Sequence, residues 1–504
     1  MFRWTSMNQR VLLLLVILVA FVFADGLEVI KYPPLSLHQW RQSDCVSYAK
    51  TYYQRNSGFF EPRNFNLLGK DGRVASEFPV IYYIQAKLAL IFGFQYWLLR
   101  GVNFLIYLTG LIYLFNCIKF WIKDPLLAMV PVLILATTPY YFYYGVNYLP
   151  NVPAICFSFI GLYYILRYEE GGLKSLKYLA ASTVCFTLAT LLKPPDGGLV
   201  WLAYLSYSLI NVFVGKRKIK DLFPLIICSA IIAICLISWY EYAIWYDHNN
   251  LNIINLIGIL PIWDMDKTKI VTVFTDRICK FWFSIYQHPY ILSFLAFLFI
   301  VYIIKWRSCN GFLRLFTLFL LIGTFIYCIL WYKTFEAHDY YQLIFVIPAT
   351  FISITVFEFY SNKIAGKLNR IVRYFMVFLL LSMAGLSIYN NRIRQEERYA
   401  TADFNYKLIN IYEAAPFLRK VGITPSDIII SVPDFSPNIT LEAFGNPGYT
   451  TLFQVDSYTH DHFINKGAKY LIISDSNDLH NPLYTPYTSK FLGGFKGIYV
   501  FDLR

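Results

Sequence analysis

Long apolar runs separated by short basic turns occupy most of the chain. Runs of roughly 16 to 22 apolar residues can cross a bilayer as helices, the form that satisfies every backbone group within a single span. Taken in order, they predict about eleven spans: 11–24, 96–118, 125–139, 152–167, 177–192, 198–214, 222–240, 289–305, 315–332, 342–359 and 374–390. The first, VLLLLVILVAFVFA, follows Arg3 and Arg10 as a signal peptide would. No clear small-x-small cleavage site follows it, so it reads as a retained span with a cytoplasmic N-terminus. A further run, FPVIYYIQAKLALIFG (78–93), is interrupted by Gln85 and Lys87. It reads as an amphipathic helix lying at the membrane surface.

Charge orients these elements. Lys119 and Lys123; Arg167, Lys174 and Lys177; Lys216, Arg217, Lys218 and Lys220; Lys305, Arg307 and Arg314; and Lys363, Lys367, Arg370 and Arg373 fall in alternate turns. The short turns between them carry only Lys193 and Lys333. Basic loops stay in the cytoplasm, so the pattern assigns the other side to the loop at about 25–96, the aromatic turn 140–151, the loop at about 240–288 and the tail after Asn391. Counting 78–93 as a span would invert every later loop and destroy the pattern. The net charge of +13 is therefore largely topological and gives no reason to expect nucleic-acid binding. The expected setting is a multi-pass protein of the cell inner (plasma) membrane, with its chemistry and its tail outside the cytoplasm.

The tail (392–504) has a different pattern. A stretch with helical spacing ends at Gly422, and the short runs DIIISV, KYLIISD and GIYVFDL alternate with the helical DSYTHDHFINKG. Helix alternating with buried strand predicts a small α/β domain following a membrane domain at 1–391. Composition agrees with this division: 57% of the 504 residues are hydrophobic, 15% are charged and 19% are aromatic. The nine cysteines lie mostly inside spans, without ligand-like spacing, and read as small apolar packing residues.

Between the first span and the surface helix stands HQWRQSD (His38–Asp44). A carboxylate, a guanidinium and an indole beside a membrane suit chemistry on the polar head of a lipid, whose phosphate needs a cation and whose acceptor hydroxyl needs a base. Asp44 is the candidate base, because a partly dry interface raises a carboxyl pKa toward a useful value.

HQWRQSD, NSGFFEPRNF (56–65), SEFPVIYYIQAKLALIFG (76–93) and LLRGVN (98–103), with HDYYQL (338–343) more weakly, resemble the GT-C class of membrane glycosyltransferases. The resemblance is to the bacterial branch similar to protein O-mannosyltransferases and aminoarabinose transferases. It implies a polytopic helical fold of about eleven spans, and transfer of a sugar, with inversion, from a polyprenyl-phosphate donor to a lipid, glycan or protein acceptor. It makes Asp44 the general base. Many members carry an Asp-Glu pair there, whereas this chain has Asp44-Cys45, so Glu77 becomes the candidate second acid. Arg41, Arg100 and Lys193 become candidates for the donor phosphate, and His38, Trp40, His338, Asp339 and Tyr340 for substrate contacts. Carboxylates stabilise an oxocarbenium-like transition state, and cations the departing phosphate.

Each of these residues also has a plainer reading: Glu77 as a helix cap, Arg41, Arg100 and Lys193 as interface anchors, Trp40 as a belt aromatic, and His338 with Asp339 as a polar pair at a span start. Asp264-x-Asp266 could hold a divalent metal, but no surrounding ligands support it, so no cofactor and no obligatory metal are expected. Asn438-Ile-Thr440 is a formal glycosylation triplet. The competing functions are a lipid-linked saccharide transporter or flippase, which would want charges inside several spans, and a glycan polymerase or ligase.

Overall fold

The computed structural model describes residues 6–250, 258–364, 370–400, 409–453 and 457–504. Each of the eleven expected apolar segments falls on a helix. By length and apolarity alone, four helices can cross a membrane: Tyr96–Ile118, Ile219–Asn249, Gly311–Leu330 and Asp339–Asn362. Two sharply bent pairs, Pro125–Thr137 with Pro139–Gly145 and Lys267–Tyr286 with Pro289–Ile304, bring the number to six among the described residues. The bend at 137–139 has a local cause: Pro139 cannot continue the preceding helix and begins the next one.

The chain packs into two compact units. One draws on the described residues of 1–30, 101–239 and 257–396, and the other on those of 31–100, 240–256 and 397–504. The first holds most of the apolar helices. Its aromatic turn, expected as an outer loop, is a short helix, Pro139–Gly145, in which every residue is buried.

The second unit joins the tail to the first loop. Its sheet has the order β2-β1-β3-β5-β4, with β1 (Ile428–Val432), β2 (Gly448–Thr450), β3 (Ala468–Ile473), β4 (Phe491–Phe495) and β5 (Ile498–Asp502). β1 pairs parallel to β2 and β3, while β5 pairs antiparallel to β3 and β4. The expected strands are β1, β3 and β5. β2 and the glycine-containing β4 are too short or too irregular to show in the pattern. The helix Ala415–Lys420 stops where expected: Gly422 takes φ +91°, a conformation that disfavours a β-carbon. Residues 401–408 of the expected preceding helix lie outside the described residues, as does Lys367 of the basic turns.

The first loop and the tail share one core. Phe65 is buried with Ile411, Leu418, Ile429, Leu441, Tyr470 and Val500. Gly448 N–H donates to Phe65 O, and Leu67 N–H donates to Gly448 O, both at 2.9 Å, so the loop extends the β2 edge of the sheet. A sequence boundary at 391 separates these partners, whereas the packing unites them.

The run expected to lie at the membrane surface is helical over Val80–Phe92. It turns Ile81, Tyr82, Gln85, Ala86 and Ala89 inward and leaves Ile84, Leu90, Ile91 and Phe92 exposed. Thirteen residues span about 20 Å, less than a hydrocarbon core. Gln85 and Lys87, the two residues that break the apolar run, both find partners. Gln85 donates to Leu99 O at 3.0 Å. Lys87 bonds Asn56 Oδ1 at 3.0 Å and lies over the Tyr83 ring.

Candidate active site

HQWRQSD opens a 17-residue helix, Gln39–Arg55, that the apolar pattern alone does not reveal. His38 stands at its N-cap in a left-handed conformation (φ 52°), and its carbonyl accepts Gln42 N–H at 3.0 Å. Arg100 fixes this entry. It is fully buried and donates to Tyr32 O (2.9 Å), Pro33 O (3.1 Å) and Gln42 Oε1 (3.3 Å). Gln42 in turn donates to Leu35 O and Leu37 O at 2.8 Å. Together these bonds tie the carbonyls of residues 32–37 to the start of the helix.

One helical turn then presents Arg41, Asp44 and Cys45 together. Arg41 donates to both carboxylate oxygens of Glu77, approaches Ser76 Oγ at 3.5 Å and lies 4.0 Å from Asp44 Oδ2. Glu77 also accepts the hydroxyls of Ser76 and Tyr82, and Tyr82 Oη lies 3.2 Å from Cys45 Sγ. Asp44 Oδ1 is buried with no hydrogen-bond partner among the described residues. Trp40 interacts with the Asp44 carboxylate as a hydrogen-bonding side chain, and its ring is about half exposed.

The two carboxyls are driven apart in acidity. Burial pushes Asp44 up to about 7; Arg41 opposes this, while the charges of Glu77 and Asp434 reinforce it. Burial also acts to raise Glu77, but Arg41 and the Ser76 and Tyr82 hydroxyls outweigh it and hold the group at about 2. A site that separates two carboxyls in this way holds one poised to exchange a proton near neutrality and one permanently charged. Cys45 does not compete as a nucleophile, since burial pushes its thiol up to about 12.

A second polar cluster lies within the helical unit. Lys193 links the helix Leu176–Leu192 to Pro194–Phe213, in extended conformation before Pro194 and Pro195. A β-carbon on Gly197 would lie 2.2 Å from Ala189 O, so glycine permits the tight turn that presents this lysine. Lys193 Nζ lies 4.0 Å from the centre of the Tyr341 ring and 5.8 Å from that of Tyr340. Asp196, in the first turn of the second helix, accepts Asn151 Nδ2 at 2.7 Å. Its other oxygen is buried without a hydrogen-bond partner among the described residues. Asp339 accepts the hydroxyls of Tyr144 and, at 3.0 Å, Tyr286, while Tyr140 bonds its backbone carbonyl. The His338 ring lies 5.4 Å from that of the buried Tyr340.

The sequence reading names Lys193, His338, Asp339 and Tyr340 but misses Asp196, Asn151, Tyr144 and Tyr286. The turn that carries Lys193 and the aromatic turn 140–151 contain three of these four, and the surplus of polar residues at span ends was the available signal. In the second unit it misses Tyr82, Asp434 and Asn438. Asp266 caps the short helix Lys267–Thr272 by accepting Lys269 N–H at 2.8 Å. Among the described residues no group of three or more His, Cys, Asp or Glu is placed to hold a metal ion. Asn438 of the glycosylation triplet is fully buried.

Among solved structures the chain is similar to ArnT from Cupriavidus metallidurans bound to undecaprenyl phosphate, with a TM-score of 0.60 and 11% identity over 99% of both chains. It is also similar to the archaeal oligosaccharyltransferase AglB from Archaeoglobus fulgidus, in complex with an inhibitory peptide and a dolichol-phosphate. That match has a TM-score of 0.52 and 12% identity, over 93% of this chain and 70% of that one. The arabinofuranosyltransferase AftD from Mycobacteria matches with a TM-score of 0.54 and 11% identity, over 98% of this chain and 40% of that one. The chain therefore has the fold of the GT-C class of membrane glycosyltransferases. Residues 76–240 match the dolichyl-phosphate-mannose-protein mannosyltransferase family, a stretch that contains Glu77 and Lys193 and begins after Asp44. No curated protein sequence matches the chain.

Proposed function

We propose that this protein is an inverting glycosyltransferase that takes a sugar from a polyprenyl-phosphate donor and passes it to a lipid, glycan or protein acceptor outside the cytoplasm. The observation that carries this reading is the pairing of Asp44, at about 7, with a Glu77 held ionised by Arg41. The fold similarity to a structure bound to undecaprenyl phosphate and to one holding a dolichol-phosphate supports the donor class.

In the proposed step, the acceptor oxygen or nitrogen attacks the anomeric carbon as the bond from that carbon to the phosphate oxygen breaks. The phosphate leaves with the bonding electrons. Asp44 takes the acceptor proton, its unpartnered Oδ1 being the available receiving atom. Glu77 keeps Arg41 oriented beside Asp44 and adds negative charge near a cationic transition state. Lys193 is the proposed contact for the donor phosphate, an ammonium on an aromatic shelf. Arg100 is assigned to shaping the helix entry, because its donors are engaged by backbone carbonyls and Gln42. His38, Trp40, His338, Asp339 and Tyr340 remain proposed substrate contacts. No metal is assigned a role, because cationic side chains can meet the charge of the leaving phosphate.

The test is mass spectrometry of envelope lipids, glycans and glycoproteins from cells with and without the gene, and with Asp44→Asn in its place. A sugar addition lost in both the deletion and the Asp44→Asn strain supports the reading. A lipid-linked sugar intermediate that accumulates on the cytoplasmic side only in the deletion strain would point instead to a transporter.

A further inference from the structure

The segment VPDFSPNITLEAF (432–444) links β1 to the helix Ile439–Phe444, and its polar residues are far more deeply buried than a connecting loop needs. Asp434 is buried and organises the turn. Its Oδ1 accepts Ser436 N–H (2.8 Å) and Ser436 Oγ (2.6 Å), and its Oδ2 accepts Thr440 N–H (2.8 Å) and Thr440 Oγ1 (2.7 Å). Burial raises the Asp434 pKa, and these four hydrogen bonds, two of them from backbone N–H groups, oppose it by favouring the charged carboxylate.

The turn is anchored on both sides. Toward the sheet, Thr450 Oγ1 donates to Ser436 O at 2.7 Å and Thr451 Oγ1 accepts Asp434 N–H at 2.8 Å. Toward the first loop, Asn66 Nδ2 donates to Pro437 O at 2.6 Å. Asn438 Nδ2 reaches Ser43 O, the residue before Asp44, at 3.5 Å. About two turns further along the Asp44 helix, Lys50 Nζ bonds Glu442 O (2.6 Å) and Oε1 (3.2 Å), and Tyr96 Oη donates to the same Oε1 at 3.1 Å. A loop nearly 400 residues away in sequence is thus fastened to the helix that carries the proposed base.

We propose that the 434–440 turn of the tail, packed against the helix that carries Asp44, makes Asp434 a positioning residue acting on acceptor activation through Asp44. This rests on the glycosyltransferase reading and extends it to a segment that neither the first loop nor the family match includes. The ionisable groups acting on Asp44 are Arg41, Cys45 and Tyr48 from its own helix, Glu77 from the following loop and Asp434 from the tail. Among these ionisable groups only Arg41 favours the charged form of Asp44, and the hydrogen-bonding Trp40 side chain does so as well. Asp434 disfavours it, and so makes Asp44 a stronger base near neutral pH. Asn438 Oδ1, like Asp44 Oδ1, is buried with no hydrogen-bond partner among the described residues.

The test has an arm that needs no substrate. In the full-length protein, the Asp44 carboxyl band is followed in pH-difference infrared spectra, assigned by its loss in Asp44→Asn. Asp434→Asn should move the midpoint to lower pH by roughly half a pH unit or more, and Asp434→Glu should leave it in place. Phe435, next to Asp434 and 73% exposed, provides a variant that spares the buried turn: Phe435→Lys should move the midpoint down and Phe435→Glu up, each by a smaller step. In transfer assays with polyprenyl lipids extracted from the deletion strain, the acid limb of the rate should move with the midpoint. A midpoint unmoved by Asp434→Asn and by both Phe435 variants overturns the proposal, as does a rate limb that stays while the midpoint moves. Full transfer by Asp44→Asn would instead sink the glycosyltransferase reading, and the infrared midpoints would still report the coupling.

Discussion

Arg41 gives its main ion pair to Glu77, 36 residues away in sequence, and leaves Asp44, three residues away on its own helix, at 4.0 Å. A guanidinium committed to Asp44 would have held that carboxyl permanently charged and weakly basic. By binding Glu77 it leaves Asp44 raised by burial and near neutrality.

The first prediction concerns Asp44 itself. Asp44→Asn should lower transfer by roughly 100- to 10,000-fold, the range of a lost general base, without unfolding the protein. The folded-state pKa is raised, so the ionisation of Asp44 costs stability as pH rises from about 4 to about 7, and the cost is constant above that. Asn mimics the protonated form. The Tm of the variant in detergent should therefore match wild type near pH 4 and equal or exceed it at pH 8. A lower Tm at pH 8 would contradict the assigned acidity.

Arg41 and Glu77 should act on Asp44 with opposite signs. Arg41→Gln removes the one cation favouring ionised Asp44, so the acid limb of the transfer rate should move to higher pH. Glu77→Gln removes a repelling charge and frees Arg41, so the limb should move to lower pH. Shifts in the same direction for both variants would mean that the triad is not coupled as the geometry implies.

Lys50 and Glu442 form a buried pair with side chains 12% and 0% exposed. Lys50→Met alone leaves Glu442 without its cation and should cost about 3–5 kcal/mol of stability. Lys50→Met with Glu442→Gln should recover part of that loss. Chemical denaturation of the single and double variants reads the coupling, and equal stabilities would show that the pair does not join tail to helix.

Lys193→Ala should reduce transfer roughly 10- to 100-fold, the worth of one charge-assisted hydrogen bond, and do so mainly through KM for the lipid donor. Lys193→Arg should restore part of the activity. A loss confined to kcat with an unchanged donor KM would reassign the residue.

Sidedness can be read with single cysteines at Gln54, Ser426 and Ser308 in a cysteine-free background, labelled in intact cells by an impermeant maleimide. Gln54 and Ser426 should react and Ser308 should not, following the basic turns. Reaction at Ser308 with protection of Ser426 would invert the topology and remove the case for a lipid-linked donor.

The apolar runs, the basic turns, three of the five strands, the helix Val80–Phe92 and HQWRQSD were all legible in the sequence, because each is written in neighbouring residues. Burial periodicity and span length are one-dimensional properties, and so is the charge of a turn. The helix Gln39–Arg55 escaped because its sequence is polar and its buried face is built from Gln42, Ser43, Ser47 and Thr51 as well as Cys45 and Tyr48. β2 escaped because three residues have no period, and it exists only through pairing with β1 and with the loop at Phe65–Leu67. The HQWRQSD stretch nominated Asp44, and the family resemblance added Arg41 and Glu77, but neither could decide which carboxylate Arg41 would hold. Nor could they show that Arg100 would be spent on backbone carbonyls, or that Asp434 would act on Asp44 from the far end of the chain. Those outcomes depend on desolvation and on distances between segments tens to hundreds of residues apart, and both exist only once the chain has folded.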